Sequence, residues 1–270
     1  MGSASLLAEF SAFAEQPDEA LELAYGALLL GRFDQPELTV QPWLDRLDRL
    51  ADAAPTAGDA LERLTQLLYV DEGFRGNRLD YYDIRNSYLH EVLQRKLGIP
   101  ITLAVVVLEV GRRLGLELDG VGFPGHFLVQ VEAGQAYLDP FDRGRLLDRS
   151  DCVALFRQGV GKKRSRFEER FLAPVTSRQI LVRMLNNMLG VSIREREPER
   201  VLFCLDSIVL LIPADPDARL QRGRYLFEAG DATRAIPDFE SFLELSVDEP
   251  ARRAVAAALD EARRRGQTVH

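Results

Sequence analysis

Apolar residues recur along residues 1–70 at the three- and four-residue spacing that lines one face of a helix. The spacing predicts four helices, over residues 6–13, 21–29, 40–54 and 57–69. Each has an apolar face that must be covered. We therefore expect residues 1–70 to form a helical region that packs on a core supplied by later residues.

Residues 71–83 break this periodicity with glycine, asparagine and aspartate, and aromatic residues are interleaved among them. Such a long interruption predicts a loop with aromatic anchors. Asn86 and Ser87 are suited to cap a helix that runs through Leu97. Residues 101–114 are apolar on nearly every side, which indicates a helix buried at the centre of a domain.

Three short β-capable segments follow, at residues 118–122, 126–132 and 136–139. Beyond residue 145 the pattern is again helical. The predicted helices of this part cover residues 177–191, 198–212, 217–229, 232–245 and 250–265. Together these elements predict an α+β fold that is mostly helical, with a small antiparallel sheet.

Two of the C-terminal helix pairs repeat at an interval of 34 residues. Leu189 corresponds to Gly223, and Leu205 corresponds to Phe239. The second unit has the small and large residues by which tetratricopeptide repeats interlock two antiparallel helices. The alternative is a helical extension of no particular repeat type.

Composition and charge narrow the class of protein. Of 270 residues, 46% are apolar and 28% are charged, which is typical of a globular protein. The net charge of −8 disfavours nonspecific binding of nucleic acid, and the basic run at residues 162–166 fits a solvated loop. No segment has the roughly 18 apolar residues of a membrane span, and no signal peptide is evident. We expect a cytoplasmic protein that binds neither nucleic acid nor membrane.

Cysteine and histidine are scarce and scattered. The two cysteines, Cys152 and Cys204, lack the spacing of metal ligands and fit a reduced, structural role. The three histidines are His90, His126 and His270. We therefore expect no metal site and no cofactor.

His126 and Asp139 are the candidate pair for chemistry. If residues 133–134 form a two-residue turn, Leu128 lies opposite Asp139, and His126 becomes its diagonal neighbour on the same face, about 7–8 Å away at the backbone. A three-residue turn would place Asp139 on the opposite face. Histidine suits proton transfer near neutrality, and a carboxylate can orient its ring. The alternative is that both residues only serve turns.

A second pair, Ser87 and His90, lies three residues apart and would share one face of a helix. No acidic residue stands at a recognisable position to orient the imidazole. A catalytic dyad is therefore disfavoured.

Six motifs in a fixed order carry a family resemblance. They are YYDIRNSYL at 81–89, LGIPITL at 97–103, GRRLGL at 111–116, GFPGHF at 122–127, DPF at 139–141 and RMLNN at 183–187. Together they resemble the bacterial SirB-type family, in which a transglutaminase-like domain is followed by tetratricopeptide-type repeats. The resemblance covers most of the chain from about residue 71.

The resemblance implies a site as well as a fold. Transglutaminase-like folds resemble papain-type cysteine proteases, with a cysteine at the start of a central helix, a histidine on one strand and an aspartate on the next. The resemblance assigns His126 and Asp139 to the last two positions, and the helix that starts at Pro100 to the first. The first turn of that helix holds Ile101 and Thr102 where the cysteine belongs. A threonine hydroxyl lacks the accessible anion of a thiol, so bonding to backbone is the plainer role for Thr102.

These observations predict three regions: helices at residues 1–70, a transglutaminase-like core at 71–170 and repeats at 177–266. Two functions remain open. The first is a non-catalytic protein-binding or regulatory protein, a pseudoenzyme that binds a protein partner through its repeats and a peptide in its core cleft. The second is a hydrolase or acyl transferase acting on an amide or peptide. In that enzyme His126 is the base, Asp139 orients it, and Thr102 is the nucleophile or positions water.

Overall fold

The protein divides into two compact units in a computed structural model that describes residues 3–131, 134–159 and 166–267. One unit is Gln16–Val191, and the other combines Gly2–Glu15 with Ser192–His270. The α-helices are α1 (Ser3–Ala14), α2 (Leu23–Gly31), α3 (Gln41–Asp52), α4 (Ala60–Thr65), α5 (Leu89–Arg95), α6 (Pro100–Arg113), α7 (Arg149–Gly159), α8 (Ser177–Glu195), α9 (Pro198–Leu211), α10 (Pro216–Glu228), α11 (Ala232–Leu245) and α12 (Glu249–Gln267). The strands are β1 (Arg75–Gly76), β2 (Leu97–Gly98), β3 (Asp119–Val121), β4 (Leu128–Val131), β5 (Ala136–Asp139), β6 (Arg145–Leu147) and β7 (Pro174–Val175). None of the helices so described is both long enough and apolar enough to cross a membrane.

Helix α6 lies at the centre of the first unit, as predicted. Pro100 occupies its first turn, where the missing N–H is no loss, and two arginines stand in its last turn, where positive charge is favoured. Residues 103–107 are all buried. The helix packs against β3 and β4 and against α2, α3, α4 and α5. Its apolar surface therefore supplies much of the core on which the site is built.

The main sheet has five antiparallel strands in the order β6-β5-β4-β3-β7. The three predicted strands are its centre. The prediction that the chain is helical throughout beyond residue 145 is wrong at β6 and β7. These strands have two or three residues each, which is too short for alternation to be visible, and they are defined by pairing with β5 and β3.

The segment before α6 also differs from its prediction. Residues Gln66–Asp71 form a π-helical turn that follows α4 directly. Residues Ile84–Ser87 form a 3-10 helix, and Tyr88 is the N-cap of α5. Asn86 and Ser87 therefore do not cap a helix, and α5 ends at Arg95, because Lys96 turns the backbone with φ of 60°. The two residues that follow pair with β1 in a parallel ladder.

The second unit is built from α1 and α9–α12. Helix α10 packs on α11, α11 on α12, and α1 on α9. Gly223 lets α10 approach α11, since a Cβ atom there would lie 2.9 Å from the Phe239 ring. This is the small-against-large pairing expected of the repeat pattern.

A buried ion-pair network also joins the helices of the second unit. Asp238 on α11 is fully buried and accepts two hydrogen bonds of 2.7 Å from Arg222 on α10. The same guanidinium donates to Asp206 on α9 at 3.0 Å. Burial raises the pKa of Asp206, and the arginine charge opposes that rise. One arginine thereby bridges three helices.

The structure divides the chain differently from the expected 1–70, 71–170 and 177–266. Residues Gly2–Glu15 lie in the second unit, with the repeats. The first part of α8, up to Val191, lies in the first unit. Local periodicity predicts that a helix has a buried face, but it does not state which later segment covers that face.

Candidate functional site

Strands β4 and β5 bring His126 and Asp139 together. Val129 pairs with Leu138, which is the register that the predicted two-residue connection requires. The predicted register of the two strands is confirmed. The connection itself includes residues 132–133, which lie outside the described residues.

His126 lies in the turn that precedes β4 and not within the strand. Gly125 adopts a φ of 70°, and the His126 N–H donates to the Phe123 carbonyl at 3.1 Å. The strand begins at Leu128, two residues later than predicted. The turn therefore sets the position of the imidazole, while the sheet sets that of Asp139.

The two side chains are in contact. Nε2 of His126 lies 2.9 Å from Oδ1 of Asp139, and the side chains are 15% and 8% exposed. The distance is short, but the ring is not oriented for a hydrogen bond to this oxygen, and Nε2 has no hydrogen-bond partner among the described residues. The two side chains are therefore within ion-pair distance but do not form an aligned hydrogen bond.

Asp139 is held in place by its own turn. Oδ1 accepts from the backbone N–H groups of Phe141 at 2.9 Å and Asp142 at 3.1 Å. The buried Tyr69 hydroxyl is near the same carboxylate. Burial, and then the charge of Asp139, hold the pKa of Tyr69 well above its usual range.

His126 separates two pockets. A pocket of about 270 Å³ on one side contains Asp139 and four further charged side chains, Arg78, Asp142, Arg145 and Asp151. A pocket of about 200 Å³ on the other side is lined by Tyr81, Pro100, Ile101, Gly125, His126, Phe127, Arg183 and Asn187. We call these the acidic pocket and the arginine pocket. The arginine pocket contains the first turn of α6, where the family resemblance locates the nucleophile.

Thr102 does not present its hydroxyl to either pocket. The residue is fully buried, and Oγ1 donates toward the carbonyls of Asn86 at 2.7 Å and Ile99 at 3.1 Å. Oγ1 also accepts from the Ile99 N–H at 3.2 Å. The expected backbone-bonding role is confirmed. Ile101, one residue earlier, is the residue of this turn that lines the arginine pocket.

The loop at residues 71–83 forms part of the site. The Asn86 amide is buried and donates to the carbonyls of Asp80 at 2.7 Å and Tyr81 at 3.2 Å. Its Oδ1 accepts from Asn77 at 3.1 Å. These bonds fix the backbone from which Tyr81 reaches the arginine pocket. The Tyr81 ring also lies 6.0 Å from Phe141, whose ring lies 6.1 Å from His126.

Arg183 reaches the site from α8. Its Nη2 donates to the carbonyls of Phe123 and His126, so it supports the turn that presents the imidazole. The guanidinium lies 5.4 Å from the centre of the Phe127 ring. Burial lowers the pKa of Arg183, and Tyr81 opposes that change. The argument from spacing missed Arg183 and Asn187, although both lie in the RMLNN motif that carried the family resemblance.

The other candidates from the sequence do not join this site. Ser87 lies in the 3-10 helix and His90 in α5, so the two do not share one helix face as expected. Cys152 and Cys204 are buried in α7 and α9. Most of the basic run at 162–166 lies outside the described residues. Within the described residues, no cluster of three or more His, Cys, Asp or Glu side chains is placed to hold a metal ion.

Comparisons with known proteins agree with this architecture. The family described as the transglutaminase-like superfamily matches residues 37–186, and the tetratricopeptide repeat family matches residues 189–260. The "UPF0162 protein" of Xylella fastidiosa (strain Temecula1) is 36% identical over 251 residues, which is 89% of each chain. A "UPF0162 protein" of Vibrio cholerae is 31% identical over 245 residues, 86% of this chain and 89% of that one.

A likeness over a shorter stretch includes an animal protein. "F-box only protein 21" of Mus musculus is 33% identical over 167 residues, which is 58% of this chain and 26% of that protein. The extent of the first two matches, together with the family model that covers residues 37–186, decides the family. The chain belongs to the SirB-type (UPF0162) family of the transglutaminase-like superfamily, with tetratricopeptide repeats after the transglutaminase-like domain.

Proposed function

We propose that this protein is a non-catalytic binding protein. Its transglutaminase-like cleft keeps a histidine and an aspartate but presents no nucleophile among the described residues, and its repeats bind a protein partner. The observation that carries the proposal is the first turn of α6. Ile101 lines the pocket beside His126, and the Thr102 hydroxyl is committed to backbone partners.

Neither cysteine replaces the missing nucleophile. Cys204 is fully buried in α9, outside the unit that contains the cleft. Cys152 is fully buried among apolar residues of the first unit. Burial, followed by the charges of Asp151, Asp148 and Asp139, raises the pKa of this thiol to about 11. A thiol with that pKa has little thiolate near neutral pH, and only the thiolate is a strong nucleophile.

Activity-based labelling tests the absence of catalysis. The wild type, His126→Ala and Thr102→Ala are incubated with electrophiles that report serine, threonine and cysteine nucleophiles, and with amide and peptide substrates. We expect labelling and turnover to be the same in all three. Turnover that the wild type shows and His126→Ala loses would contradict the proposal.

A second candidate function is favoured by one observation, the 2.9 Å contact between His126 and Asp139. In this alternative the chain is a hydrolase or acyl transferase on an amide or peptide, with His126 as general base. The Thr102 hydroxyl would have to leave the Asn86 carbonyl before it could attack. Activity that survives Thr102→Ala but not His126→Ala would assign water as the nucleophile.

The protein partner is assigned to the second unit because tetratricopeptide repeats generally mediate protein–protein interactions, and residues 189–260 match that family. Affinity capture compares the whole chain with a shorter chain of residues 16–191, which make up the first unit. We expect partners only with the whole chain, and circular dichroism checks that the shorter chain is folded. Recovery of the same partners by residues 16–191 would exclude the repeats as the binding surface.

A further inference from the structure

The arginine pocket contains a partly buried cation, Arg183, that no carboxylate in the described part of the chain neutralises. Both hydrogen bonds of Arg183 leave from Nη2, so its Nε and Nη1 donors are unused by the described residues. No acidic side chain of the described residues forms an ion pair with it. Placing a cation in a protein interior is costly unless an anion or further hydrogen bonds compensate it.

The acidic pocket, on the other side of His126, gives the internal comparison. Arg78 pairs with Asp142 at 2.9 Å, and Arg145 pairs with Asp151 at 3.4 Å. Each arginine of that pocket has its own carboxylate. Arg183 therefore differs from the arginines of the acidic pocket, which are each paired with a carboxylate.

The remaining lining of the arginine pocket suits one small anion. Asn187 supplies an amide and Tyr81 a phenol, and the first turn of α6 contributes the positive end of a helix dipole. A guanidinium fork matches the two oxygens of a carboxylate. One uncompensated positive charge balances a single negative charge, which favours a carboxylate over a phosphate dianion. The volume of about 200 Å³ admits a group of that size.

The rim indicates that the carboxylate belongs to a peptide. Tyr81, which lines the pocket, is 40% exposed, and Tyr82 is 56% exposed. Both lie on the loop that the buried Asn86 holds in place, and their rings are in edge contact at 5.4 Å. Exposed apolar and aromatic side chains beside a charged pocket provide contacts for the rest of a chain.

We infer that the arginine pocket binds the carboxylate group of a peptide, with Arg183 as its main partner and the Tyr81–Tyr82 loop as the apolar rim. This inference rests on the proposed binding function and names the ligand chemistry of the cleft. It needs no covalent step.

The test uses the whole chain and fluorescence anisotropy of short, mixed-sequence peptides labelled at the N-terminus. One pool ends in a free carboxylate and lacks Asp and Glu. A second has the same composition and ends in an amide. A third ends in an amide and contains Asp or Glu. We expect a carboxylate to tighten binding about tenfold or more, as charge-assisted hydrogen bonds do.

Two variants assign the effect to the pocket. Arg183→Gln removes the cation but also disturbs the bonds to Phe123 and His126, so it is accompanied by a circular dichroism and unfolding measurement. Asn187→Asp leaves Arg183 intact and places a competing carboxylate in the pocket wall. Both variants should abolish the difference between the pools, while Arg78→Gln, in the acidic pocket, should retain it.

The outcomes separate the two proposals. A preference that is lost in Asn187→Asp supports the carboxylate pocket. Preference for the first pool identifies a terminal carboxylate as the ligand, and preference for the third identifies a side-chain carboxylate. Equal binding of the carboxylate and amide pools overturns the carboxylate pocket but leaves a peptide-binding cleft. Absence of binding by every pool also overturns it, whereas the repeats are judged separately by the capture experiment.

Discussion

His90 illustrates what a single buried residue contributes. Its ring lies on α5 close to the rings of Trp43 and Tyr88, with centroid distances of 5.7 and 5.8 Å. Both ring nitrogens are buried without a hydrogen-bond partner. Burial lowers the pKa of His90 from its ordinary 6.5, and the nearby Glu91 and Asp34 only partly oppose that change. The histidine is therefore held in its neutral form, as a packing group.

The consequence is a pH-dependent stability. Below about pH 6.5 the unfolded chain binds a proton at His90 that the folded chain resists, so the free energy of unfolding falls as the pH is lowered from there. One such group contributes a slope of at most about 1.4 kcal/mol per pH unit. Urea unfolding of the wild type and His90→Leu between about pH 7.5 and pH 5.5 measures this slope. We expect a shallower slope in His90→Leu; identical slopes would show that His90 is not the responsible group.

At the scale of the element, the first turn of α6 decides where a nucleophile could stand. Ile101 faces the arginine pocket, and Thr102 faces the Asn86 carbonyl. The family resemblance placed the nucleophile in this turn without choosing between the two residues. The choice matters, because a shift of one residue rotates a side chain by about 100° around a helix. The hydrogen bonds of Thr102 settle its direction.

Placing a cysteine in this turn tests that assignment. Ile101→Cys should react with iodoacetamide about tenfold or more faster than Thr102→Cys, because a thiolate at a helix N-terminus beside an imidazole is stabilised. Adding His126→Ala to Ile101→Cys should remove most of the difference. Alkylation rates measured by mass spectrometry give the comparison, and equal rates for the two single cysteines would refute it.

A glycine fixes the spacing of two helices in the second unit. A Cβ atom at Gly223 would lie 2.9 Å from the Phe239 ring and 3.1 Å from the Cβ of Asp238. We therefore expect Gly223→Ala to lower the free energy of unfolding by about 1–3 kcal/mol. Gly190→Ala is the matched control, since a Cβ there meets nothing within 4 Å. It should be neutral or stabilising by up to about 1 kcal/mol. Similar urea midpoints for the two variants would contradict this account.

At the scale of the whole molecule, the second unit is assembled from two distant parts of the chain. Phe10 and Phe13 of α1 are buried in this unit, and α1 packs on α9. Phe10→Ala should destabilise the unit by about 3–5 kcal/mol, as is usual for a buried phenylalanine. Ala12→Ser, on the exposed face of the same helix, should stay within about 0.5 kcal/mol. Hydrogen exchange in α9 provides the readout, and unchanged exchange in Phe10→Ala would contradict the packing.

Much of this organisation is visible in the sequence. The buried α6, the repeat helices and the His126–Asp139 register each follow from periodicity over neighbouring residues. What periodicity could not provide is contact between residues far apart in the chain. Such contacts decide which unit α1 joins and where the two short edge strands form. They also bring Arg183 to the site. The significance of Arg183 is visible only once its missing counter-ion can be compared with the paired arginines nearby.

The split second unit also affects the order of events during synthesis. Helix α1 is translated before residues 16–191, whereas α9, which covers its apolar face, follows them. At about 5–20 residues per second, roughly 10–40 s pass between the two helices. During that interval α9, on which α1 packs, has not been made, so the apolar face of α1 with Phe10 and Phe13 remains available to chaperones. The nascent chain must therefore protect an apolar helix while the first unit is being made, a demand that a contiguous repeat domain would not impose.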